Sequence, residues 1–560
     1  MRVIFAILST LLVVSTASNE VYPTYDNDHQ HPRSSSITSR QSTFIDAEEL
    51  TSEFWRQKAQ ETIKAKLQQQ SIVSRAKNVV YLIGDGMSSQ TTAATRMYLG
   101  DENVVLSFEQ FPYVATAKTY CVDRQVADSA CSVTAFLSGV KTNYRMINVS
   151  PAVSDSDCGY DREESEFLGL LKWAQDAGLA TGLVTNTRIT HATPAGAYAS
   201  VSSRDWEDDS YVTSDGCDVA EYPDIAQQLI HGEVGKKFNV ILGGGRRHFV
   251  PSTELDDENV AGSRGDGRNL INEWKEAHPS NSAYVWNKPG LQSIDVSTTE
   301  NVLGLFESSN LLYNMEIDDQ QLGDVKPKLT EMVEVALKLL TKRTEGFFLF
   351  VESGKIDMAH HGDQPRLALD ETAEFSRVVE LVRNMTSEED TLIVVTSDHG
   401  HTMTYNGYPK RGNDILGIGG YSDEDGLPYT TLSYANGEGY YNTYKDVNYA
   451  ERLDISSLDL SDYHTKYMAT VPLSSEAHGG EDVTVYASGP MAHIFRGTVE
   501  QNVLPELISY AAKIGQYRQT ENGGEDDDED DDPGTGSSLA VYVKLMVACG
   551  VVALLNRLKW

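Results

Sequence analysis

Residues 346–361 read GFFLFVESGKIDMAHH, and their character changes halfway along. Gly346 opens an apolar run that ends at Val351, the texture of a strand buried on both faces of a parallel sheet. Glu352 follows the run directly, and Asp357 and His361 lie four residues apart, so a helical turn would put both on one side. Similar short apolar runs occur at residues 78–83, 181–185, 239–242 and 391–396. Amphipathic stretches at 166–177, 327–342 and 366–385 lie between them. This alternation predicts an α/β fold, with a large mostly parallel central sheet and helices on both faces. Chemistry in such sheets gathers at the carboxyl ends of the strands. Apolar alternation returns at 483–487, and 503–514 reads as a final helix. Residues 405–468 break the rhythm and are expected to form a small inserted surface (crown-like) subdomain.

Several of these strands end in metal-type ligands. The first leads to Asp85, the fourth to Glu352, Asp357 and His361, and the fifth to Asp398 and His399; His478 sits in a Gly-rich loop before a late strand. Mixed carboxylate and imidazole ligands suit zinc, whereas an all-oxygen set suits magnesium. Each has a plainer alternative: Asp85 as a helix cap, Asp357 and His361 as a surface pair, residues 398–401 as a turn. Residues 125–136, QVADSACSVTAF, hold two candidate nucleophiles, Ser129 and Cys131, in what could equally be an ordinary helix start.

The chain has 560 residues, with 46 basic against 82 acidic side chains and a formal charge of -36, which argues against nucleic acid or anionic lipid as partners. An anionic substrate would need local positive charge. Residues 1–17 read as a secretory signal. Residues 18–46 read as loose, and 47–76 as an N-terminal arm with a helix over 47–70 capped by Asp46. The catalytic domain is expected at 77–515. Residues 516–538 form an acidic linker that includes eight consecutive acidic residues at 525–532, and 539–560 an apolar tail. The tail fits a GPI signal, with Gly534 or Asn522 as attachment site; the alternative is a single C-terminal transmembrane span. Either puts the folded part on the extracellular face of the plasma membrane. Asn148 and Asn384 stand in glycosylation sequons.

The ordered motifs YLIGDGM, VADSACS, THATPAGAYA, FFLFVESGKIDMAHH, VVTSDHGH and EAHGGEDV closely resemble those of animal alkaline phosphatases, the insect-type membrane-bound branch above all. The resemblance spans roughly residues 54–515 and implies the alkaline-phosphatase-like form of the fold. It implies hydrolysis of phosphate monoesters at alkaline pH through a phosphoserine at Ser129, with two zinc ions, one magnesium ion and a homodimer anchored by GPI. Asp357, His361 and His478 would hold one zinc, and Asp85, Asp398 and His399 the other. Asp85, Thr193 and Glu352 would hold magnesium, with His191 beside it where the bacterial branch has a carboxylate. Arg204 would grip the phosphoryl oxygens with a bidentate fork, and with zinc present Ser129 needs no histidine base.

The resemblance also implies a Cys158–Cys217 disulfide. Vertebrate relatives have Gly where Cys131 stands, and a Cys121–Cys131 bridge beside the serine is expected instead of a second nucleophile. His360 and His401 match no ligand position and read as supporting residues. Calcium stays open. Phe306 and Glu307 match two of the family's calcium positions, but the downstream aspartate aligns near Lys326, with Asp324 two residues off, and the remaining Glu has no assigned place in the 251–262 loop. A sulfatase would need a Cys-x-Pro-x-Arg motif, which residues 128–132 lack. An inactive binding scaffold would have lost ligands that are all present.

Overall fold

A computed structural model of the chain describes residues 47–446 and 449–518. Ten strands form the central sheet: β1 Asn78–Gly84, β2 Tyr113–Lys118, β3 Ala180–Arg188, β4 Val240–Gly244, β5 Ser282–Val285, β6 Asn301–Leu305, β7 Phe347–Ser353, β8 Thr391–Thr396, β9 Val483–Ser488 and β10 Gly497–Glu500. They lie in the order β10-β2-β9-β8-β1-β7-β3-β4-β6-β5. Every pairing is parallel except those of β9, which runs against both β2 and β8. The helices used below are α1 Ser52–Gln68, α2 Ser129–Ser138, α3 Leu170–Asp176, α4 Leu329–Leu340, α5 Lys355–His361, α6 Pro365–Met385 and α7 Leu504–Ala512.

The continuous apolar runs follow from burial on two faces. All residues of β1, β7 and β8 are buried. Because successive side chains alternate across a strand, Val79, Tyr81, Ile83, Phe348 and Phe350 pack with Val133 and Phe136 of α2, Leu170 of α3 and Ile508 of α7. Val80, Leu82, Leu349 and Val351 pack on the other face with Met332 and Val333 of α4 and Phe375 and Val378 of α6. Each such side chain contributes about 1.5–3 kcal/mol by leaving water, so this three-layer centre is the stiff platform under the site.

The first helical segment differs from the expected 47–70 helix. A short 3-10 turn, Ala47–Leu50, stops at Thr51, whose hydroxyl caps α1 by accepting from Phe54 N at 3.3 Å. The expected cap, Asp46, lies outside the described residues. Trp55, Ile63 and Leu67, spaced for one face of α1, are all exposed. The helix expected at 166–177 starts only at Leu170, because Glu166 is held by Arg162 at 2.6 Å and Phe167 N donates to Asn148 O.

The 405–468 insertion is built from short strands around Ile415, Leu416, Leu432, Tyr434 and Tyr467, which pack on Ala94 and on Leu369 of α6. Among the described residues no helix is long and apolar enough to cross a membrane. The 1–17 signal, the 539–560 tail, Gly534 and Asn522 lie outside them.

Candidate active site

Strands β8, β1 and β7 lie side by side with their carboxyl ends level, since Ile83 pairs with both Glu352 and Thr396. Asp85, Glu352 and Asp398 therefore emerge together, and all three are fully buried. Gly86 lets the chain turn away after Asp85. Its φ is +71°, and a Cβ there would stand 2.5 Å from His401 Nε2. Gly86 N donates to Asp398 Oδ1 at 3.0 Å, tying the β1 turn to the β8 turn.

Helix α5, entered straight from β7, carries Asp357 and His361 on one side, and His478 meets them from the loop before β9. His361 Nδ1 donates to Glu476 O at 2.6 Å, and His478 Nδ1 to Ala127 O at 2.7 Å. A carbonyl can only accept, so both protons sit on Nδ1 and both Nε2 atoms present bare lone pairs. These lie 3.1 Å apart, and 3.4 and 3.3 Å from Asp357 Oδ1. Three electron-rich atoms converge with no proton between the two imidazoles. Bonds of about 2.0–2.1 Å at tetrahedral angles would put neighbouring donors roughly 3.3 Å apart, so the set fits zinc. Beside it, His399 Nε2 lies 2.9 Å from Asp398 Oδ2 and 3.6 Å from Asp85 Oδ1, a second mixed set. The His399 and His478 rings stack at 3.6 Å between centroids.

Two supporting residues were not singled out in the sequence. Glu476 accepts from Thr402 N and Oγ1 at 2.6 Å and from His401 Nδ1 at 2.6 Å, while its own carbonyl orients His361. His401 Nε2 in turn reaches Asp357 Oδ1 at 2.8 Å. Burial would lower the His401 pKa, but Glu476 and Asp357 outweigh it and push it up to about 10, and the ring ties Asp357 to Glu476. The other residue is Asp128, the N-cap of α2. Its Oδ1 accepts from Cys131 N, and its Oδ2 binds Arg204 Nη1 at 2.8 Å. An Asp immediately before a small-residue helix start is a capping signal that could have marked it.

Ser129 is the first residue of α2, buried at the helix N-terminus, with its Oγ 3.2 Å from His399 Nε2. Arg204 is braced by Asp128 and donates to His191 Nε2 at 3.1 Å. Burial, then the Arg204 and Arg188 charges, lowers the His191 pKa to about 3, which keeps the ring neutral.

A third, oxygen-rich group adjoins the second. Thr193 Oγ1 lies 3.2 Å from Asp85 Oδ2, and Glu352 Oε2 accepts from Thr185 and, at 2.9 Å, from Thr187. Asp85 Oδ1, Glu352 Oε1 and His191 Nδ1 are buried without hydrogen-bond partners. Burial, against the threonine hydrogen bonds and with the nearby Asp398 charge, raises the Glu352 pKa to about 7. Unpaired carboxylate oxygens in a buried pocket need a cation or a proton, and this donor set suits a hard cation such as magnesium.

Both expected disulfides, Cys121–Cys131 and Cys158–Cys217, are formed. His360 faces away from the metal-type cages, meeting Thr91 Oγ1 and Tyr434 Oη at 3.0 Å each. One site expectation is corrected. Asn148 is fully buried, and its Nδ2 donates to Gly196 O and Ala199 O at 2.8 Å, so the folded chain has no room for a glycan there. Asn384 is exposed near the end of α6.

A buried hydroxyl at a helix start, faced by a braced guanidinium and carboxylate–imidazole cages, equips an α/β enzyme for phosphoryl transfer to water. The alkaline phosphatase family model matches residues 76–514. The chain is 42% identical over 506 residues to the membrane-bound alkaline phosphatase of Bombyx mori, covering 88% of this chain and 90% of the relative. It is 42% identical over 492 residues to the tissue-nonspecific isozyme of Rattus norvegicus, covering 84% and 91%. In fold it is similar to a TAB5 alkaline phosphatase mutant solved with magnesium bound, at a TM-score of 0.54 and 19% identity, covering 79% of this chain and 100% of that one. The chain belongs to the alkaline phosphatase family. It is a phosphatase that hydrolyses phosphate monoesters.

Proposed function

We propose that the chain works at alkaline pH through a phosphoserine on Ser129, with two zinc ions and one magnesium ion, as a homodimer on the extracellular membrane surface. The observation that carries this reading is the meeting of the bare Nε2 atoms of His361 and His478 with Asp357 Oδ1, next to the set that reaches Ser129 Oγ. Asp357, His361 and His478 would hold one zinc; Asp85, Asp398 and His399 the other; Asp85, Thr193 and Glu352 the magnesium, with His191 beside it. When bound, these ions would supply Lewis-acid charge that stabilises the attacking and leaving oxygens of an in-line displacement.

The chain's own groups do the rest. Arg204, held by Asp128, presents its fork to two phosphoryl oxygens, and the N-terminus of α2 adds backbone N–H groups and a favourable dipole for the anion. Ser129 Oγ forms the new bond to phosphorus as the ester oxygen departs with its alcohol. Water then attacks the phosphoserine, releasing inorganic phosphate and restoring the hydroxyl. His191, kept neutral, supports Arg204 without competing for the substrate's charge. Local positive charge at this edge lets a chain of formal charge -36 hold a dianion.

Exposure of Trp55, Ile63 and Leu67 along α1 supports the homodimer, because a pairing surface would cover them. The relative named as membrane-bound supports anchoring, and Gly534 or Asn522 would carry a GPI anchor; the alternative is a C-terminal span. Asn384 is the remaining glycosylation site. Hydrolysis of an aryl phosphate by wild type, Ser129→Ala and a chelated sample tests the reading. Loss in both treated samples is expected. Unchanged turnover in Ser129→Ala would refute the nucleophile, and indifference to chelation would refute the metals.

A further inference from the structure

Lys326 ends in a cage of oxygens drawn from separate parts of the chain. Its Nζ lies 2.5 Å from Glu258 Oε1, 2.6 Å from Glu307 Oε1 and 3.2 Å from Phe306 O. Phe306 and Glu307 follow β6, Glu258 comes from the 251–262 loop, and Lys326 precedes α4. An ammonium has three protons, and here each has an acceptor. The Lys326 side chain is 12% exposed, so little water reaches the cage.

A second cation closes the back of it. Glu258 Oε2 binds Arg246 Nη2 at 2.5 Å, and Arg246 Nε binds Asp256 Oδ2 at 2.8 Å. Arg246 is fully buried, and its Nη1 donates to Leu305 O at 2.7 Å. Glu258 thus stands between two side-chain cations.

Phe306, Glu307 and the acidic loop are the places where the family resemblance leaves a calcium site open. The residues present do not fit one. Calcium takes six to eight oxygens at about 2.3–2.6 Å, and the point where the available oxygens meet is filled by a positive group of the chain itself. Asp324 is exposed and is not one of the three groups that surround the Lys326 ammonium.

We propose that the Lys326 ammonium replaces the divalent cation, joining the end of β6, the 251–262 loop and the entry to α4 without calcium. A tethered charge does not dissociate, so this region holds its structure at any calcium concentration.

The test uses the full-length enzyme loaded with zinc and magnesium, in calcium-depleted buffer and with labelled calcium at about 1 mM, the range in which extracellular calcium modules bind. Wild type is expected to retain no calcium after gel filtration and to show the same thermal midpoint in both buffers. Stoichiometric retention, or a midpoint that rises with calcium, would overturn the proposal. Lys326→Asp, which exchanges the ammonium for a carboxylate, is expected to retain calcium and to gain a calcium-dependent rise in midpoint. A folded Lys326→Asp that takes up none would show that the ammonium is not what excludes the ion. Lys326→Met keeps the stem without the charge and is expected to unfold at lower temperature than wild type in calcium-free buffer; an unchanged midpoint would show that the ammonium does not hold the cage together.

Discussion

The Nε2 atoms of His361 and His478 face each other at 3.1 Å, and both carry lone pairs because each Nδ1 donates to a carbonyl. Such a contact is repulsive until a cation enters. Chelation is therefore expected to lower the thermal midpoint, and zinc to restore it. In His361→Ala the repulsion is gone along with a ligand, so chelation should move the midpoint much less. Equal chelation shifts in both proteins, read by calorimetry, would contradict the lone-pair account.

His401 acts one step behind the cage, bridging Glu476 Oε2 at 2.6 Å and Asp357 Oδ1 at 2.8 Å. Partners of this kind typically account for about 10- to 100-fold in metal affinity. His401→Gln should weaken zinc binding by that amount in a competition titration. Activity should return at high zinc, which a purely structural defect would not allow.

Arg204 is aimed by Asp128 at 2.8 Å, so its charge alone is not its contribution. Arg204→Lys keeps the charge and loses the planar fork. The expected outcome is a fall of about 10- to 100-fold in kcat/KM, the worth of a charged hydrogen bond. Wild-type kinetics in this variant would remove the fork from the account.

Asp208 supplies a pH signature away from the cages. Burial would raise its pKa, but hydrogen bonds from His248, Ser210 and Ser263 outweigh it and bring the value from the ordinary 3.8 to about 2. A depressed folded pKa stabilises the fold fully above the unfolded value, and that gain is lost as pH falls toward 2. It amounts to roughly 2 kcal/mol at neutral pH. Asp208→Asn should be less stable than wild type at pH 7 by about this much, with the gap narrowing in acid. Metal loss in acid affects both proteins, so the difference in urea unfolding is what is read. A gap independent of pH would contradict the assignment.

The strands were legible because a run buried on both faces, such as 347–351, has few other uses, and the candidate ligands Asp85, Glu352 and Asp398 stood out because they follow such runs, whereas Thr193 and His191 rested on the family resemblance alone. Residues whose roles depend on distant partners were not. Asn148 reads locally as a sequon, yet Gly196 and Ala199 hold its amide in the core. Glu258 lies in an irregular loop with no period to mark its direction, so only the fold shows it meeting Lys326. Glu476 opens the EAHGGEDV motif, but its link to His401 crosses from the segment before β9 to the turn after β8. Helix α3 starts at Leu170 and not at 166, because the Arg162–Glu166 salt bridge takes up what would be its first turn.

Everything proposed for the site turns on Ser129 carrying the phosphoryl group between substrate and water. Acid quenching during turnover of a radiolabelled aryl phosphate, followed by peptide mapping, tests it directly. Stable label on Ser129 is expected in wild type and none in Ser129→Ala. Label on another residue, or full turnover by Ser129→Ala with no labelled protein, would contradict it.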